Sequence, residues 1–88
     1  MMKMLFQKQV QFTRYIKTNA GLKEFNFLKI NNTISPTFAI DVSDERGRRH
    51  EFFVINEGDD WKMQGKDLPH WIVEAELNLL DAIKSEEN

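Results

Sequence analysis

Residues 67–84 read DLPHWIVEAELNLLDAIK, and the spacing of the apolar side chains in this stretch decides the fold. Apolar residues recur every three or four positions and so lie along one side of a helix: Leu68, Ile72, Ala75, Leu79 and Ile83. The Asp67 carboxylate can accept hydrogen bonds from the free amides of a first helical turn, and Pro69 is tolerated within that turn. We predict one amphipathic helix over about 68–84, with Asp67 as its N-cap.

Upstream of Asp67 the pattern changes to the two-residue alternation that is typical of strands with one buried face. Five segments follow this alternation, separated by turn-forming Asn, Asp, Gly and Pro residues: about 8–17, 22–30, 37–43, 49–56 and 60–64. Because the last segment is short, the count is four or five strands. We therefore predict an α+β fold, an antiparallel β-meander of four or five strands packed against one C-terminal α-helix, with residues 1–88 as a single domain.

The alternation slips inside the second of these segments. Phe25 and Phe27 lie in one phase, whereas Leu28 and Ile30 lie in the other. Two interpretations are open: a β-bulge that shifts the phase, or burial of both faces of the sheet near Phe27 and Leu28.

The composition is that of an ordinary globular domain. The 88 residues are 41% apolar and 30% charged, with a formal net charge of −2. The chain has no cysteine, which excludes disulfides, thiolate nucleophiles and cysteine-bound metals. A domain of this size buries only about 60–65% of its unfolded surface, so we expect a homodimer, or a complex with another protein, to add buried area.

Targeting signals are sparse. The first nine residues lack the long apolar stretch of a signal peptide, and no other segment is long and apolar enough to cross a bilayer. We expect a cytoplasmic protein that does not associate with membranes.

The residues that usually carry metal binding or catalysis do not converge in the sequence. His70 and Glu74 are one helical turn apart, but two ligands are too few for a tight metal site. His50 and Glu51 point to opposite faces of a strand. The serines fall in turns or at the end of the chain, without a glycine-rich nucleophile elbow. We predict no metal, no cofactor, no small-molecule substrate and no enzymatic activity.

Charge is unevenly distributed along the chain. Residues 1–30 carry six basic side chains and one acidic side chain, a balance of +5, whereas 31–60 and 61–88 carry −4 and −3. Five residues of the basic segment are candidate contacts for single-stranded DNA or RNA, because bases stack on aromatic rings while Lys and Arg follow phosphates: Arg14, Tyr15, Lys17, Lys23 and Lys29. The alternative, which we favour, is that these strands complement the acidic parts of the fold or of a dimer.

The predicted helix is apolar over more than one face. Beside the core stripe lie four further apolar residues that are candidate dimer or partner contacts: Trp71, Val73, Leu77 and Leu80. The alternative is that these four residues belong to a wide core stripe, and we give this interpretation the greater weight.

The order of a four- or five-stranded meander and one helix, together with the strand Phe25-Asn-Phe-Leu-Lys-Ile30, resembles the Pur-repeat and Whirly-like domains. That resemblance implies binding of single-stranded nucleic acid by the sheet. The acidic balance and the acidic turn 57–60 depart from it. The C-terminal part, from Trp61 to Ile83, looks like the end of small uncharacterised bacterial proteins, which implies a fold and no activity.

Three functions remain in order of preference. The first is a small non-catalytic binding or interaction module that acts as a homodimer or with a protein partner. The second is binding of single-stranded DNA or RNA by the basic, aromatic sheet face. The third is an acidic inhibitor or immunity-type protein that presents the acidic turns of 41–60 to a basic partner.

Overall fold

The computed structural model describes residues 10–30 and 34–87, and within them strands are followed by helix as predicted. The strands are β1 (Gln11–Thr18), β2 (Gly21–Ile30), β3 (Thr37–Ser43), β4 (Arg49–Glu57) and β5 (Asp60–Gln64). They form one antiparallel sheet in which strand order follows chain order, and the sheet curls into a half-barrel. The predicted α+β meander is confirmed, with the fifth strand present. Residues 8 and 9 of the first predicted strand lie outside the described residues.

The slip of alternation in β2 corresponds to burial on both faces. Pairing of β1 with β2 runs without interruption from Thr18↔Gly21 to Gln11↔Leu28, so the ladder needs no bulge here. Phe27 is buried on one side of the strand, and Leu28 is half-buried on the other. The second of the two interpretations therefore describes this strand.

One face of the sheet carries the core, and we call it the inner face. Its buried side chains are Ile16, Phe25, Phe27, Phe38, Ile40, Val42, Phe52 and Val54. The predicted helical stripe packs against them, with Ile72, Ala75, Leu79 and Ile83 buried and Leu68 partly buried. Burial of these side chains is the main term that stabilises the fold. The opposite side of the sheet is called the outer face.

The start of the helical segment differs from the prediction. The helix begins at His70, and Pro69 occupies the N-cap position without a side-chain hydrogen bond. Asp67 has φ 53°, in the left-handed region, whereas an N-cap residue needs extended backbone. Asp is one of the few residues that tolerate this conformation, and it turns the chain between β5 and the helix. The prediction of Asp67 as N-cap is wrong for this reason.

The helical segment is also divided in two, α1 (His70–Val73) and α2 (Glu76–Glu87). At the junction the Ala75 amide donates to the Ile72 carbonyl at 3.0 Å, three residues back, which tightens the turn. The Leu79 amide then donates to the Ala75 carbonyl and resumes the α-helical pattern. Among the described residues, neither helix has the length and apolar character of a membrane span.

Candidate functional site

A row of polar side chains crosses four strands on the outer face. We call it the polar row, and its members are Thr13, Asn26, Asp41, Arg49 and Glu51. The Thr13 hydroxyl donates to Asn26 Oδ1 at 2.8 Å, and Asn26 Nδ2 donates to Asp41 Oδ1 at 3.0 Å. The pairing register explains the row, because Thr13, Asn26, Asp41 and Glu51 lie directly opposite one another on successive strands.

Arg49 completes the polar row by joining two carboxylates. Its guanidinium lies 3.1 Å from Asp41 Oδ2 and 3.0 Å from Glu51 Oε2. The hydrogen bond to Asp41, together with the charges of Asp41 and Glu51, raises the pKa of the Arg49 guanidinium. The polar row is therefore an ordered set of donors and acceptors of both charge signs.

An apolar row runs parallel to the polar row across the same face. On each strand its member is two residues from the member of the polar row, towards the carboxyl end of β2 and β4 and the amino end of β3. It consists of Leu28, Ala39 and Phe53, which the register places opposite one another on β2, β3 and β4. Phe53 is 45% exposed, and Leu28 and Ala39 are half-buried. In the next row Ile30 and Ile55 are also half-buried, and the buried Thr37 lies between them. The centre of the outer face is thus apolar, which is uncommon for a face that no other described element covers.

Two shallow depressions flank the side chain of Leu28. One, of about 360 Å³, is lined on the outer face mainly by Gln11, Thr13, Asn26 and Leu28. The other, of about 320 Å³, lies over β3 and β4 and is lined by Ala39, Arg49, Glu51 and Phe53 among others. The two depressions share Leu28 and Asp41, so they form one uneven surface.

The structure separates the five candidate nucleic-acid contacts instead of gathering them. Tyr15 and Lys17 lie on the outer face, and Tyr15 is 66% exposed. Arg14, Lys23 and Lys29 lie on the inner side of their strands. Arg14 pairs with Glu86 of α2 at 2.5 Å, and Lys23 Nζ lies 5.7 Å from the centre of the Trp71 ring. Arg14 and Lys23 thus help to attach the helical segment to the sheet.

The four candidate dimer contacts on the helical segment are likewise divided. Trp71 packs edge-on against Phe25 at 6.4 Å between ring centres, and Leu80 is partly buried against the core. Val73 and Leu77 are 45% and 75% exposed. The wide-stripe interpretation describes Trp71 and Leu80, whereas Val73 and Leu77 remain available for a partner.

Two pairs of a histidine and a carboxylate lie away from the outer face. His50 Nε2 is 3.1 Å from Asp44 Oδ2 at the β3–β4 turn, and the His50 ring stands edge-on to Trp71. Hydrogen bonds from His50 and from the Arg48 amide lower the pKa of Asp44. His70 and Glu74 approach to 3.7 Å. Within the described part of the chain, no three side chains of the metal-ligating types come together.

The sequence identified Tyr15 and Lys17 of the outer face but neither the polar row nor the apolar row, although two signals pointed to apolar residues on that face. The first is the phase slip at Leu28 and Ile30 in β2. The second is the unbroken apolar run Phe52-Phe-Val-Ile55, which gives a strand apolar residues on both faces. Assigning Asp41 and Arg49 to the same surface requires the strand register, which the sequence does not provide.

Comparisons of the chain with protein-family models, with curated proteins and with solved structures found no match. The case for a function therefore depends on the geometry of the outer face.

Proposed function

We propose that the protein is a small non-catalytic interaction module whose binding surface is the outer face of the sheet. The observation that carries this proposal is the apolar row Leu28–Ala39–Phe53, half-buried at Leu28 and Ala39 and exposed at Phe53, on a face that no described helix covers. Apolar area at the centre of a surface, bordered by polar groups, is the composition of a protein interface.

The polar row supports the same proposal. Its side chains are already held by hydrogen bonds and ion pairs in the isolated chain, from Thr13 to Glu51. A partner therefore meets an ordered border and orders few additional side chains on binding. Phe53, a large ring beside this border, is one of the aromatic residues that are enriched in protein interfaces.

The charge of the outer face supports a protein partner over a nucleic acid. Lys17 and Arg49 share that face with the carboxylates of Glu24, Asp41 and Glu51. Phosphates are repelled by these carboxylates, whereas a protein surface with both charge signs can pair with them.

Site-specific photo-cross-linking tests the proposal. Benzoylphenylalanine replaces Phe53 in one variant and Leu77, on the exposed side of α2, in the matched control. We expect covalent protein adducts from position 53 and few from position 77, both with the purified chain and in a lysate of its native cells. Adducts from position 77 alone, or a reproducible turnover that a point change abolishes, would contradict the proposal.

Nucleic-acid binding remains the second candidate because Tyr15 and Lys17 lie together on the outer face, with Tyr15 well exposed. Titration of a labelled single-stranded oligonucleotide at two salt concentrations tests it, since phosphate contacts make affinity fall steeply with salt. Tyr15→Ala and Lys17→Ala should then weaken binding, with Lys84→Ala on the exposed side of α2 as the control. A signal that is absent or independent of salt removes this candidate.

A further inference from the structure

We infer that the partner on the outer face is a second copy of the chain, related to the first by a two-fold axis that runs along β3. This inference rests on the proposed function and names its partner. The symmetry of the sheet, the match of apolar residues across the axis and the match of charges support this partner.

The order of the strands makes the sheet suitable for such an axis. With five strands in chain order, β3 is central and two strands lie on each side of it. When two sheets face each other across an axis parallel to β3, β2 of one copy lies over β4 of the other. The edge strands β1 and β5 curve away from this contact, because the sheet curls around its inner face. Positions along the strands are unchanged by this rotation, so each row of side chains meets the same row of the second copy.

The apolar residues match across the axis. In the apolar row, Leu28 of each copy meets Phe53 of the other, while Ala39 lies near the axis, where its small side chain permits close approach. In the next row Ile30 meets Ile55. The depression of about 360 Å³ beside Leu28 receives the exposed Phe53 ring of the second copy. Each contact forms twice, because both copies contribute the same surface patch to the interface.

The charges match in the same arrangement. Glu24 lies two residues before Asn26 on β2, and Arg49 lies two residues before Glu51 on β4, so the two stand in one row. The axis therefore brings Glu24 of each copy to Arg49 of the other.

The polar row is compatible with this packing. The amide of Asn26 meets the carboxylate of Glu51, and Asp41 meets its own counterpart near the axis. The two Asp41 carboxylates are each already bonded within their own chain, to Asn26 and Arg49, which offsets their repulsion. A surface that pairs opposite charges and apolar groups with itself is the requirement for a closed two-fold dimer.

Sedimentation equilibrium tests the inference with one matched pair of variants. The purified wild-type chain should have the mass of two chains. Phe53→Glu should raise the dissociation constant about 30-fold or more, because it removes a central aromatic contact. Leu77→Glu, an equal change on the helix surface, should leave the dimer intact. Far-UV circular dichroism verifies that each variant is folded.

Cross-linking gives a readout that does not depend on Phe53→Glu being folded. Because the chain has no cysteine, Ala39→Cys introduces one thiol close to the two-fold axis. A short bis-maleimide should join two copies of this variant and should not join two copies of Leu77→Cys.

A monomeric wild-type chain, or cross-linking of Leu77→Cys without Ala39→Cys, overturns the inference. If the purified chain is monomeric but benzoylphenylalanine at position 53 captures a different protein, the second copy is excluded while the proposed function stands. If neither experiment detects contact at position 53, both fail.

Discussion

The carboxylate of Asp44 contacts three residues at the β3–β4 turn. Its Oδ1 accepts hydrogen bonds from the Arg46 and Arg48 amides, both at 2.9 Å, and its Oδ2 faces His50. These bonds favour the charged carboxylate, so the pKa of Asp44 is lower in the folded chain than in the unfolded chain. The resulting stabilisation is present above the unfolded pKa and is lost as pH falls through the folded value.

We predict that Asp44→Asn is less stable than the wild type near pH 7, and that this difference shrinks as pH falls below about 4. Asn retains an oxygen for the two amides but not the charge that His50 and the amides stabilise. Urea denaturation at several pH values measures the difference in free energy of unfolding between the variant and the wild type. Asp59→Asn, in the next turn, is the control and should have a smaller effect. A difference that stays constant down to pH 3 would show that the charge of Asp44 does not matter.

Gly65 permits a close approach between the end of β5 and the core. A Cβ atom at this position would lie 2.8 Å from Leu68 Cδ1 and 2.9 Å from Phe52 Cβ. Leu68 can move, but Phe52 Cβ is fixed by the backbone of β4. We expect Gly65→Ala to lower the free energy of unfolding by about 1–3 kcal/mol in urea denaturation. The adjacent, exposed Gln64→Ala is the control, and equal stability of both variants would argue against this contact.

Helix α2 presents a buried and an exposed leucine only two residues apart. Leu79 is fully buried against the sheet, whereas Leu77 is 75% exposed. Leu79→Ala should therefore cost about 2–5 kcal/mol of unfolding free energy, and Leu77→Ala should change it by less than about 0.5 kcal/mol. Thermal or urea denaturation of the two variants side by side measures this. Similar losses for both would mean that α2 packs with a different face.

The spacing of apolar residues was sufficient to predict the strands and the buried stripe of the helical segment, because these depend on local periodicity. It was not sufficient for the start of α1, where Asp67 adopts a left-handed conformation instead of capping. The polar row was missed for a different reason. Thr13, Asn26 and Asp41 are far apart in sequence, and only the pairing of three strands places them in one row.

Contacts within the fold explain part of the uneven charge of the sequence. Basic β1 and β2 contact the acidic helical segment through the Arg14–Glu86 ion pair and through Lys23 at Trp71, and Asn19 of the connecting turn hydrogen-bonds Glu74. Arg14 therefore pairs with an acidic residue of the helical segment, whereas Arg14 and Lys23 as contacts for nucleic acid stay a prediction.

Dimerisation through the outer face carries a prediction for the stability of the whole molecule. Because unfolding then includes dissociation, the thermal midpoint should rise with protein concentration. Differential scanning calorimetry over a hundredfold concentration range measures it. For Phe53→Glu the midpoint should be independent of concentration, and a constant midpoint for the wild type would contradict the dimer.

The strand order of the sheet also bears on how quickly the chain reaches this structure. Every paired strand is joined to its neighbour along the chain, so each ladder closes only a short connection. Domains rich in such local contacts fold faster than closed barrels of similar length, in which the first strand must find the last. Because β1 and β5 do not pair in the half-barrel, folding does not require the slow pairing of the first strand with the last.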